Sequence, residues 1–147
     1  FFCFLTGSPG RRVFAQTTWP PEGRTPFPDS VSAQVEFQNG SSGQLVYSAE
    51  GDSRYPKERI TVSAPGLVAE IENFQKLTLY RKRKKTVEKF TSKGHAEEMK
   101  AWSGFLNRQE DHPLPYSESR TGMVLTFAVL QSIQSSSAVS VSEHKSI

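Results

Sequence analysis

Val31, Ala33, Val35 and Phe37 alternate with Ser32, Gln34, Glu36 and Gln38. This period of two demands a strand with one face covered and the other wet or polar. Asn39-Gly40 then turns the chain back toward Leu45, Tyr47 and Ala49. A strict two-residue loop would set Leu45 opposite Gln34, on the polar face. An odd loop of three residues with a glycine bulge pairs Val35 with Leu45 and Ala33 with Tyr47, and this is the expected register. Further on, Ile60, Val62 and Ala64 alternate with Arg59, Thr61 and Ser63. Pro65-Gly66 supplies a type II turn signal, and counting back across it pairs Val62 with Ala69 and Ile60 with Ile71. Leu77 and Leu79 mark another strand, and Val87 to Phe90 a return strand. Ahead of these, Val13 to Thr18 reads as a strand entered after Arg11-Arg12. The four prolines between Trp19 and Asp29 make a loop that cannot donate regularly to a ladder.

The period changes after this meander. From His95, the spacing Met99, Trp102, Leu106, with Phe105 alongside, predicts a helix with an apolar stripe. Asp111 to Pro115 breaks it. Ser117 is a candidate N-cap for a second helix. There Met123, Val124, Phe127, Leu130 and Ile133 cover most of the circumference, which predicts a buried helix. From Ser135 onward serine dominates and no pattern survives, so a frayed tail is expected. Strands first and helices last give an α+β fold, an open, mainly antiparallel sheet with helices on one face. The expected division is a domain over residues 1–135 and a disordered tail over 136–147.

At 147 residues the chain is long enough for one domain with a real core. Apolar residues at 35% and charged residues at 22% suit a globular protein. One cysteine, Cys3, excludes an internal disulfide framework and a cysteine-based zinc site. That favours a reducing, cytoplasmic compartment. No apolar run approaches the roughly 20 residues needed to span a bilayer, so no membrane partner is expected. The net charge of +3 is uneven: Arg81-Lys82-Arg83-Lys84-Lys85 carries +5, leaving −2 for the rest. Phe1-Phe2-Cys3-Phe4-Leu5 followed by Thr6-Gly7-Ser8-Pro9 reads as the end of a helix whose start precedes Phe1. A fragment, or a product lacking its front half, is therefore expected.

Three constellations could carry chemistry. Arg81 to Lys85 could bind nucleic acid, but no aromatic residues interleave with the cations as a single-strand binder requires. A solvated hairpin turn is the expected role, without a nucleic-acid partner. Lys93-Gly94-His95 opens a helix whose first turn holds Glu97 and Glu98, favourable for the helix dipole. His95 and Glu98 could share a face as metal ligands. No third ligand is spaced to complete a set, so no metal is expected. Glu50, Asp52, Arg54, Tyr55, Lys57, Glu58 and Arg59 place seven polar or charged groups within ten residues. Such a loop is either a surface connection with local ion pairs or a site that binds a polyol or sugar through its hydroxyls. There is no GxGxxG, P-loop, GxSxG or HExxH, and no complete catalytic set assembles.

The order of these motifs is informative. A helix ending in Leu-Thr-Gly is followed by an Asn-Gly hairpin and then by Tyr-Ser-Ala-x-Gly-Asp-x-x-x-Pro-Lys-Glu-Arg-Ile-x-Val, beginning at Tyr47. Next come a glycine-containing turn, a strand, and Lys-Gly-His-x-x-Glu opening a helix at His95. From about Phe1 to Ser135 the chain resembles the C-terminal domain of the Gfo/Idh/MocA oxidoreductases, the glucose–fructose oxidoreductase and inositol dehydrogenase-like enzymes. The resemblance implies a parent enzyme that pairs this domain with an N-terminal Rossmann domain binding NAD or NADP. It also implies hydride transfer to or from a sugar, inositol or related hydroxyl compound. The family's catalytic lysine, and the aspartate and histidine of the preceding helix, have no counterpart here, so no catalytic or cofactor-binding residue is assigned. By the same resemblance Gly51, Asp52, Arg54 and Tyr55 would approach substrate, with Lys93 and His95 near the same cleft. The wet strand face of Ser32, Gln34 and Glu36 would be a subunit interface in a homo-oligomer. The alternative is a non-enzymatic remnant that associates through its sheet with an intact relative.

Overall fold

The computed structural model describes residues 1–17, 30–49 and 51–141. Thr18, the expected end of the first strand, the proline-rich segment from Trp19 to Asp29, Glu50 and residues 142–147 lie outside the described residues. The fold class is as expected: α+β, with open antiparallel sheets and, among the described residues, no closed barrel. The meander divides into two four-stranded sheets rather than forming one, and the chain forms two compact units. Unit 1 takes residues 1–50 and 114–147, and unit 2 takes residues 51–113.

Unit 1 begins with helix α1 (Phe2–Thr6), which ends at a left-handed Gly7. Its sheet has the order β3-β2-β1-β8, from β1 (Gly10–Thr17), β2 (Val31–Phe37), β3 (Ser42–Tyr47) and β8 (Val139–Ser140). The two arginines expected to precede β1 lie within it. The alternation in β2 does what its period requires: Ala33, Val35 and Phe37 are buried with Val13 and Ala15 of β1. Helix α3 (Tyr116–Ser135) covers this face with Leu125, Ala128 and Ser132. Burying each valine or larger side chain contributes about 1.5–3 kcal/mol, and this layer is where unit 1 gains its stability.

The β2–β3 hairpin has the expected odd loop, but its register differs by two residues. Val35 pairs with Gly43, Ala33 with Leu45 and Val31 with Tyr47. The reason lies in Gly40, whose φ of 85° makes it the left-handed third residue of the loop Gln38-Asn39-Gly40. The Phe37 N–H donates to the Ser41 carbonyl at 2.9 Å and closes the loop there. Gly43 then lies under the Phe2 ring, where an added Cβ would meet ring carbons at 3.3 Å.

Three further expectations in unit 1 are corrected. Ser117 does not cap α3; Pro115 holds the cap position with φ −54°, already set for helix entry, and Ser117 falls in the first turn. Nor is α3 buried all round: a single sheet covers one side of it, leaving Met123, Phe127 and Leu130 exposed. The serine-rich stretch after Ser135 holds the short strand β8, where Val139 pairs with Val13 and Ser140 with Arg12.

Unit 2 contains β4 (Arg59–Ala64), β5 (Leu67–Glu72), β6 (Lys76–Arg81) and β7 (Lys84–Lys89) in sequential order, then α2 (His95–Leu106). The expected pairs Val62 with Ala69 and Ile60 with Ile71 are found across the Pro65-Gly66 turn. The basic run is exposed, as a solvated turn would be, but the turn itself is only Lys82-Arg83. The return strand accordingly starts at Lys84, not Val87. On α2 the partly buried stripe is Ala101, Trp102 and Phe105, while Met99 and Leu106 are exposed. Trp102 and Phe105 pack edge-on against His112, with ring centroids 5.0 and 4.6 Å away. That contact pins the chain after α2 back onto the helix.

Candidate functional site

The polar loop that begins at Gly51 is organised by two short clamps. The first is local. The Arg54 backbone N–H donates to Asp52 Oδ1 at 2.8 Å, its Nε donates to the same oxygen at 3.3 Å, and the Tyr55 N–H donates to the Asp52 carbonyl at 2.9 Å. An aspartate that bonds backbone two residues on makes this turn without help from tertiary packing. The Arg54 amide first, and its guanidinium second, hold the Asp52 carboxyl below its ordinary range. The Arg54 side chain is 91% exposed, so this ion pair adds little to stability.

The second clamp fixes the far end of the loop. Asn73, at the β5–β6 turn, adopts a left-handed conformation with φ 50°. Its Oδ1 accepts the N–H groups of Lys57 and Glu58 at 3.0 and 3.4 Å, while its own N–H donates to the Glu58 carbonyl at 2.8 Å. Glu58, thus held, receives Lys93 Nζ at 3.2 Å. The loop and the entry to α2 are joined through this ion pair.

Of the six candidate residues, Asp52, Arg54 and Tyr55 form one hydrogen-bonded turn, and Lys93 is tied to the loop through Glu58. Gly51 is exposed, and so is His95, the first residue of α2; neither bonds to the other candidates among the described residues. Gly94 precedes His95 in a left-handed conformation, φ 91°, and its carbonyl accepts the Glu98 N–H at 2.9 Å. Glu58 and Asn73 were not singled out as organisers by the sequence. An asparagine at a turn between strands tolerates the left-handed conformation, and that was the available signal for Asn73.

The loop presents carboxylate, guanidinium, phenol and ammonium groups suited to hydrogen-bonding hydroxyls, without a nucleophile paired to a base. Among the described residues no group of three His, Cys, Asp or Glu side chains could hold a metal. No described helix is long and apolar enough to cross a membrane. Unit 1 separately holds an open, mainly apolar groove of about 970 Å³, bordered by Phe1, Phe4, Leu45, Leu114 and Met123. None of the six candidate residues lines it.

No protein-family model and no curated protein matches the sequence. Solved structures do match in fold. Aldose-aldose oxidoreductase from Caulobacter crescentus, complexed with glycerol, superposes with a TM-score of 0.78 at 13% identity, over 95% of this chain and 43% of that one. An oxidoreductase from Agrobacterium radiobacter, in complex with NAD+, L-tartaric acid and magnesium, gives 0.76 at 13% identity, over 95% and 45%. A super-repressor mutant of Gal80p from Saccharomyces cerevisiae gives 0.72 at 16% identity, over 99% and 48%. The chain therefore spans less than half the length of these proteins. It has the fold that the resemblance to the Gfo/Idh/MocA C-terminal domain implied.

Proposed function

We propose that this chain is the substrate-binding and assembly half of an NAD(P)-dependent oxidoreductase acting on a sugar, inositol or related hydroxyl compound. The observation that carries this reading is coincidence of motif order with fold. The motif series from Leu-Thr-Gly to Lys-Gly-His sits on a fold shared with oxidoreductases of about twice the length. Two of those structures hold a polyol or hydroxy acid, and one holds NAD+. In this reading Gly51, Asp52, Arg54, Tyr55, Lys93 and His95 position substrate, and the nicotinamide and proton-transfer groups belong to the other half of the enzyme. Their contribution is orientation, the part of catalysis that comes from holding a hydroxyl in line for transfer. The polar face of Ser32, Gln34 and Glu36 is the subunit contact, in a cytoplasmic homo-oligomer.

The test is an amide chemical-shift titration of the purified chain with aldoses and polyols, up to the order of 100 mM to register millimolar binding. Shifts confined to Gly51–Tyr55, Lys93 and His95, lost in Asp52→Asn, are expected. Shifts elsewhere, or none in the folded chain, would discard the assignment. A second reading, a non-enzymatic partner of an intact relative, is supported by the occurrence of this fold in a protein named as a repressor. It requires a mixed complex with an intact relative in light scattering.

A further inference from the structure

The two sheets treat their edges differently. In unit 2 the edge strand β7 carries Lys84, Lys85 and Lys89, the usual way of keeping a strand from pairing with another chain. In unit 1 the edge strand β3, Ser-Gly-Gln-Leu-Val-Tyr from Ser42 to Tyr47, has no charge and no proline. It also exposes Leu45, Val46 and Tyr47, with Val46 75% accessible.

Which backbone groups this edge offers follows from the hairpin. Phe37 and Ser41 form a hydrogen-bonded pair, so by alternation Val35–Gly43, Ala33–Leu45 and Val31–Tyr47 bond inward to β2. Ser42, Gln44 and Val46 then direct their N–H and C=O groups away from the sheet. Gln44 and Val46 find no other backbone partner there among the described residues.

We propose that β3 pairs antiparallel with β3 of a second copy of this chain, joining two four-stranded sheets into one of eight. The pairing is self-complementary about a two-fold axis at Leu45. Gln44 exchanges both backbone hydrogen bonds with Val46 of the second copy, and Val46 does so with Gln44. On one face Leu45 meets its own counterpart and Tyr47 comes beside Gly43 and the Phe2 ring that covers it. On the other face Val46 packs beside Gln44. All of these side chains are uncharged, so no ion is desolvated. This contact is distinct from the polar face of Ser32, Gln34 and Glu36 and does not depend on the substrate reading.

The test is sedimentation equilibrium of the chain up to about 100 μM, covering the affinity range of weak self-association. It is run for the unmodified chain, Val46→Lys and, as a control on an exposed strand of unit 2, Thr86→Lys, with circular dichroism to verify folding. A dimer is expected, weakened at least tenfold by Val46→Lys and unchanged within twofold by Thr86→Lys. The Gln44 and Val46 amides should gain protection from exchange as concentration rises. A monomer throughout, a dimer indifferent to Val46→Lys, or a dimer whose Gln44 and Val46 amides gain no protection would overturn the proposal.

Discussion

The Ser132 hydroxyl accepts the backbone N–H of Ala15 at 2.9 Å and donates onward to the Ser137 carbonyl at 2.6 Å. Ala15 lies on β1 beyond the reach of β8, which pairs only with Arg12 and Val13. Its N–H points to where a longer β8 would run, and a helix side chain takes the place of the missing strand. Ser132 is fully buried and its bond with Ala15 is made away from water, while Ser137 is exposed.

Ser132→Ala should therefore leave the Ala15 amide buried without a partner. The expected loss is about 1–3 kcal/mol, and at about 2–4 °C per kcal/mol for a chain of this size it shows as a lower Tm. Calorimetry reads it directly. A change below half a degree would mean that water enters and satisfies the Ala15 amide.

Asn73→Gly keeps the left-handed turn but removes the oxygen that holds Lys57 and Glu58, and about 1 kcal/mol should be lost. Asn73→Ala removes the oxygen and adds the cost of φ 50° for an L side chain, about 1–2 kcal/mol more. Both should accelerate amide exchange at Lys57 and Glu58. Equal stability losses would show that the conformational cost is absent.

Lys82 and Arg83 both have positive φ, 51° and 60°, in a two-residue turn that Asn-Gly fills without strain. Lys82→Asn with Arg83→Gly should raise stability by about 1 kcal/mol, measured by urea unfolding of the chain. An unchanged or lower midpoint would show that the pair of cations contributes something beyond the turn.

Glu36 is held below its ordinary value by the Arg12 guanidinium at 2.7 Å, Glu72 by the Lys76 ammonium at 2.8 Å, and Asp52 as described above. A depressed carboxyl binds a proton more readily in the unfolded chain. Its contribution is thus full above the unfolded value of roughly 4 and is lost as the pH falls through the lower folded value. Arg12 and Lys76 are raised, so their share is present throughout the neutral range and lost only at strongly alkaline pH. Denaturant midpoints should stay flat from these pairs between about pH 6 and 9 and decline below about pH 4. Glu36→Gln should flatten part of that decline.

The sequence made the strands legible where a period of two ran against a glycine turn, as in β2 and in the β4–β5 pair. Parity of the Asn39-Gly40 hairpin was readable because Leu45 cannot sit opposite Gln34 without exposing the core face. The absolute register was not readable, since either odd loop satisfies that rule and only the position of the left-handed glycine separates them. The burial of α3 was misjudged because apolar residues around a helix do not say how many layers surround it. In the candidate site the loop was visible as a cluster of polar residues. The Asn73 clamp joins positions far apart in the chain, and no local pattern encodes it.

Unit 1 is assembled from both ends of the chain, with the whole of unit 2 emerging between them. The hairpins of unit 2 close between neighbours in sequence and can form as soon as they are made. The apolar face of β1 and β2 has no such option. Val13, Ala15, Ala33 and Val35 have Phe2 and Cys3 of α1 beside them but lack their main cover until Leu125 and Ala128 arrive, and the Val13–Val139 pairing comes last. During synthesis this sheet is consequently the exposed, aggregation-sensitive part of the protein, and the moment of greatest risk is set by the length of the interruption.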